Sequence, residues 1–116
     1  MVLKKAGSDR RYDDRHAGTG LAIRIDDYET EVLDVSIGGL KFAPPDGRVY
    51  QIQNKLGFEL LSANWPDMRR AIGTGLVRAA TPDWVAIQFL RPTYDLMKCV
   101  SRHVGTLLWG GKPYGY

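Results

Sequence analysis

Cysteine is almost absent from this chain of 116 residues: Cys99 stands alone, so no internal disulfide can brace the fold. Histidine is nearly as scarce. His16 and His103 lie far apart, with no carboxylate or cysteine at ligand spacing, which removes the common zinc-site patterns. Long apolar runs are missing as well; no segment is long enough to cross a bilayer or to act as a signal peptide, and the expected location is the cytoplasm, without membrane insertion. Nor is there a strong excess of one charge. The 16 basic and 13 acidic residues leave +3, which favours an anionic partner but is too little for a general coat on DNA or RNA. No nucleophile sits in a recognised motif with its base, and there is no phosphate loop and no metal cluster, so neither an enzyme nor a cofactor is expected.

What is present is enough apolar residue, 44% of the chain, for one modest core and one domain. The charge is unevenly placed. Lys4, Lys5, Arg10, Arg11 and Arg15 crowd the amino end against Asp9, Asp13 and Asp14, which marks residues 1–18 as a solvated, mobile arm able to fold over an anionic ligand. A single domain follows over residues 19–116, with no repeat, low-complexity block or linker, so the chain reads as a stand-alone module.

Period-two alternation dominates that domain. Leu21, Ile23 and Ile25 alternate with Ala22 and Arg24, Asp26-Asp27 makes a turn, and a second strand runs from Glu29 to Ile37. Within it Leu33, Val35 and Ile37 alternate with Asp34 and Ser36, so the apolar trio is expected to face the interior and the polar pair to share the other face. Gly38-Gly39 interrupts the strand, Leu40 and Phe42 resume it, and Pro44-Pro45-Asp46-Gly47 turns again. Strands over Lys55–Leu61, Arg69–Ala80 and Trp84–Leu90 complete about six, the middle one weakened by Gly73 and Gly75, at barrel spacing. From Thr93, a cap residue, Leu96, Val100, Val104 and Leu107 recur at helical spacing, predicting a helix over 93–109 that closes one barrel end. Cys99 falls on its apolar side as a core thiol, and the tail from Lys112 has no core pattern.

Two polar motifs stand out in this frame: Arg10-Arg11-Tyr12-Asp13-Asp14-Arg15 in the arm, and Asp34-Val35-Ser36-Ile37-Gly38-Gly39 on the second strand. With ten arginines available, an RxxxR spacing occurs by chance about once. The Asp/Asn-x-Ser-x-x-Gly spacing is expected only ~0.04 times from the residues present, so it carries the information. Guanidinium groups grip phosphate and the O6/N7 edge of guanine through paired donors, and a carboxylate accepts from guanine N–H groups. A guanine nucleotide is the ligand this chemistry suits.

Set side by side, RRxxxR and DxSxxG resemble the PilZ domain, a bacterial receptor module for cyclic di-GMP. The resemblance covers most of the chain and implies a mainly β fold: a six-stranded antiparallel barrel with a flexible basic arm and one C-terminal helix. It further implies that Arg11 and Arg15 contact phosphate and guanine, that Arg10 adjoins them, that Asp34 accepts from guanine, that Ser36 adds a hydroxyl and that Gly39 admits close approach. The bland reading of the same residues is three surface arginines, a strand-end Asp and Ser, and a β-bulge glycine. The partners so implied are cyclic di-GMP and a downstream protein effector. Two other classes suit a small basic barrel: a PilZ-like interaction module that ignores nucleotide, and an OB-like binder of RNA or single-stranded DNA.

Overall fold

A computed structural model describes residues 15–63 and 70–108. The alternation read in the sequence becomes strand geometry most plainly at Leu21–Ile25, where Leu21, Ile23 and Ile25 are buried and the intervening residues are not. In chain order the elements are β1 (His16–Ala17), β2 (Leu21–Ile25), β3 (Tyr28–Ser36), β4 (Gly39–Phe42), β5 (Lys55–Ser62), β6 (Ala71–Ala80), β7 (Val85–Phe89) and α1 (Tyr94–Leu108). Antiparallel ladders join the strands in the order β1-β3-β2-β5-β6-β7-β4, and a further β3–β4 ladder closes the circle. Among the described residues the result is a closed six-stranded barrel plus one extra strand and one C-terminal helix. Closure removes the open edges that an isolated sheet of this size would expose.

Local chemistry sets the corners. Asp26, at φ 57°, takes the left-handed position of the two-residue turn between Ile25 and Tyr28, a conformation that Asp tolerates better than most side chains. Gly47, at φ 80°, sits in a turn closed by the Arg48 N–H donating to the Pro45 carbonyl at 3.1 Å.

The short strand β1 was not foreseen in the sequence. Its pairs, His16 with Val35 and Ala17 with Asp34, fall where β3 also pairs Asp34 with Lys41 and Val35 with Leu40 of β4. A strand has two edges, so β1 lies on the edge away from β4 and continues the line of β2 along β3. The end of the expected arm is thereby laid beside the DxSxxG segment.

The expected inward trio on β3 is corrected. Val35 is fully buried, but Leu33 is 39% and Ile37 58% exposed, and Val32 takes the interior position instead. The cause is a β-bulge: the register with β4 shifts between Val32 and Asp34, leaving Leu33 as the extra residue, and the strand ends at Ser36. One inserted residue reverses the faces of everything on that side of it. A second register shift lies between Val77 and Ala79 on β6, which makes Arg78 the extra residue there.

The core gathers Ile23, Val35, Leu40, Phe42, Leu60, Val77 and Val85 from the barrel with Leu96, Cys99 and Val100 from α1. The Thr93 hydroxyl caps the helix as expected, accepting from the Leu96 N–H at 3.1 Å. Glycine at position 73 is what lets α1 settle on β5 and β6: a Cβ there would stand 2.7 Å from Phe58 and 2.9 Å from Leu96. Gly73, read in the sequence as a weakness of its strand, is a docking surface for the helix. No helix among the described residues is long and apolar enough to cross a membrane. Trp65, Trp109 and the terminal segment fall outside the described residues, whereas the Trp84 ring carries the Lys41 ammonium 4.4 Å from its centroid.

Candidate ligand-binding site

Position 15 lies opposite Ser36 when the β1–β3 register is extended by one residue, and the side chain of Arg15 uses that placement fully. Its Nε and Nη2 both donate to Asp34 Oδ1, at 3.0 and 2.6 Å, while Nη1 donates to Ser36 Oγ at 3.0 Å. One guanidinium thus joins the last arginine of RxxxR to both polar residues of DxSxxG. The planar fork suits this task in a way an ammonium would not, because three donors are held in fixed directions.

Ser36 is buried and fully engaged. Its hydroxyl accepts from Arg15 and from the Gly38 N–H at 3.2 Å and faces the Gly39 carbonyl at 3.4 Å. These contacts hold the tight β3–β4 connection and aim Arg15, so Ser36 acts from behind the surface. Asp34 and Arg15 remain open to solvent, with side chains 26% and 35% exposed.

Gly39 neither turns the chain nor adopts positive φ, which among glycines of the described residues belongs to Gly20 and Gly47. It is buried, pairs with Ser36 and Gln88, and a Cβ there would stand 2.1 Å from the Ile87 carbonyl oxygen. The motif glycine therefore permits close approach of β4 to β7, the seam that floors the site. Over that seam opens a pocket of about 470 Å³ lined by Arg15, Gly38, Gly39, Arg78, Ala86, Ile87 and Gln88.

The barrel is found in proteins of distant sequence. The chain resembles the Bacillus subtilis inhibitor of motility, MotI/DgrA, with a TM-score of 0.73 and 15% identity over 89% of this chain and 53% of that one. It spans about half of that protein. An uncharacterised Legionella protein matches with a TM-score of 0.61 and 13% identity, over 85% of this chain and 98% of the other. At such identities the likeness shows the fold. No protein-family model matches the chain, and no curated protein matches it in sequence.

Of the residues singled out in the sequence, Arg15, Asp34, Ser36 and Gly39 come together within one cluster. Arg10 and Arg11 lie outside the described residues. Two residues escaped sequence analysis. Arg78 lines the pocket, but only the bulge on β6 puts it there, and no spacing rule announces a bulge. His103 is fully buried, its Nε2 2.7 Å from the Ala17 carbonyl. Its signal was available, since position 103 falls on the same helical stripe as Leu96, Cys99 and Val100.

Proposed function

We propose that this protein is a PilZ-type receptor that binds cyclic di-GMP and passes the signal to a partner protein. The observation that carries the proposal is the junction of Arg15 with both Asp34 and Ser36, two separately read motifs meeting through one guanidinium at the mouth of a pocket. In this reading Arg15 and Asp34 engage guanine and phosphate, Ser36 and Gly39 shape the floor, and Arg10 and Arg11 close over the ligand as the arm orders. Neutralising clustered cations with phosphate supplies the driving force for that ordering. The likeness in fold to an inhibitor of motility supports a regulatory role over a catalytic one.

The test is calorimetric titration with cyclic di-GMP, with GTP, an RNA oligonucleotide and the Arg15→Ala variant as controls. Micromolar or tighter binding that the variant loses is expected. Absence of both heat and thermal stabilisation overturns the proposal and leaves the nucleotide-independent interaction module; binding of the oligonucleotide in its place leaves the OB-like binder.

A further inference from the structure

We infer that Arg78 is the residue of this site that binds the ligand's phosphodiester, a role Arg15 is poorly placed to fill alone. The inference rests on the cyclic di-GMP reading above.

Arg15 is already committed. Three of its donors are satisfied by Asp34 and Ser36, and the Asp34 carboxylate offsets its charge. The pair presents a nearly neutral surface of donors and acceptors, suited to a purine edge. Arg78 is exposed, and among the described residues it makes no hydrogen bond or ion pair and no acidic side chain lines the pocket it shares with Arg15. Among the described residues, Arg78 is thus the source of the pocket's uncompensated positive charge.

Its direction follows from the bulge. Val77 pairs with Ile87 and Ala79 with Ala86, so Arg78 is left over between two ladder positions beside the strand that floors the pocket. Bulges re-aim side chains in this way and recur beside binding sites. An exposed guanidinium lining an open cleft is a ready bidentate donor to phosphate oxygens, and a cleft of one sign concentrates anions. The volume of about 470 Å³ falls within the range of small-ligand sites. A cyclic dinucleotide seated over the β4–β7 seam would set a guanine against Arg15 and Asp34 and a phosphodiester against Arg78.

The experiment compares the full chain with Arg78→Gln and Arg78→Lys in titrations with cyclic di-GMP at about 50 mM and about 500 mM sodium chloride, a span over which screening removes most exposed charge attraction. Arg78→Gln should weaken binding by about tenfold or more at low salt and flatten the salt dependence, because the lost interaction is ionic. Arg78→Lys should keep the salt dependence with an intermediate loss, since it retains charge but not the fork. Thermal midpoints should match wild type, as Arg78 is exposed. If Arg78→Gln binds within twofold of wild type with the same salt dependence, Arg78 is an ordinary surface cation and the receptor reading stands without it. If wild type itself fails to bind, the receptor reading falls and this inference falls with it.

Discussion

His103 Nε2 lies 2.7 Å from the carbonyl oxygen of Ala17, so the C-terminal helix grips the backbone just beyond Arg15 across 86 positions of sequence. A carbonyl only accepts, which assigns the proton to Nε2. His103 is wholly buried, and its Nδ1 has no partner among the described residues. The short strand β1 is therefore fastened at two points, by Arg15 to β3 and by His103 to α1. Helix and site are mechanically joined through a few residues of backbone.

Removing that grip should loosen β1. His103→Ala removes the partner of the Ala17 carbonyl and leaves a cavity where the buried ring stood, an expected loss of about 2–4 kcal/mol in chemical denaturation. His103→Gln, with a donor at similar reach, should recover part of it. Amide exchange separates the local effect from the global one: the Gly18 N–H, which donates to the Leu33 carbonyl at 3.0 Å, should exchange faster in the alanine variant.

The Arg15–Asp34 pair should matter to binding far more than to stability. The two side chains are 35% and 26% exposed, where an ion pair contributes at most about 1 kcal/mol. Arg15→Ala should shift the thermal midpoint little. It should weaken cyclic di-GMP by about 30-fold or more, the scale for truncating a desolvated charge contact. A loss below about threefold would remove Arg15 from the site.

Two glycines offer opposite outcomes from the same substitution. Gly39→Ala places a methyl 2.1 Å from the Ile87 carbonyl oxygen and should cost about 3 kcal/mol or more by forcing β4 and β7 apart. Gly57→Ala meets nothing within 4 Å, on an exposed position of β5, and should be neutral or stabilising by about 0.5 kcal/mol. Urea denaturation of the two variants checks both.

Burial pushes the Cys99 thiol up from 9.0 to about 11, with Arg102 opposing weakly. The folded state thus favours the neutral thiol. This contribution to stability is complete below the unfolded-state value and is lost as pH rises toward the folded one, by roughly 2 kcal/mol between pH 9 and pH 11. The stability difference between wild type and Cys99→Ala should shrink over that range and stay constant below it. Native protein should resist thiol reagents at neutral pH.

Much of the architecture was legible because it follows from local pattern. Leu21–Ile25 and Val85–Phe89 alternate cleanly, and Thr93 followed by an apolar stripe announces its helix. Where the pattern misled, the reason is specific. Leu33 looked inward because alternation was carried through a bulge, which depends on the register between β3 and β4 and leaves no mark in the composition of either strand, and Ile37 because the alternation was carried one residue past the strand's end at Ser36. Gly73 looked like a defect because its value lies in Leu96 and Phe58, residues distant in sequence.

The candidate site divides the same way. Residue type, spacing and the resemblance they carry put Arg15, Asp34, Ser36 and Gly39 forward as one candidate site, since a fork of donors, a carboxylate, a hydroxyl and a small residue are properties of the side chains themselves. Their contacts were decided by tertiary structure. Pairing of β1 with β3 joined Arg15 to Asp34, burial placed Ser36 behind it, the approach of β7 required Gly39, and a bulge turned Arg78 toward the same pocket. Each of these depends on which strand lies beside which, a quantity set by the closure of the whole barrel.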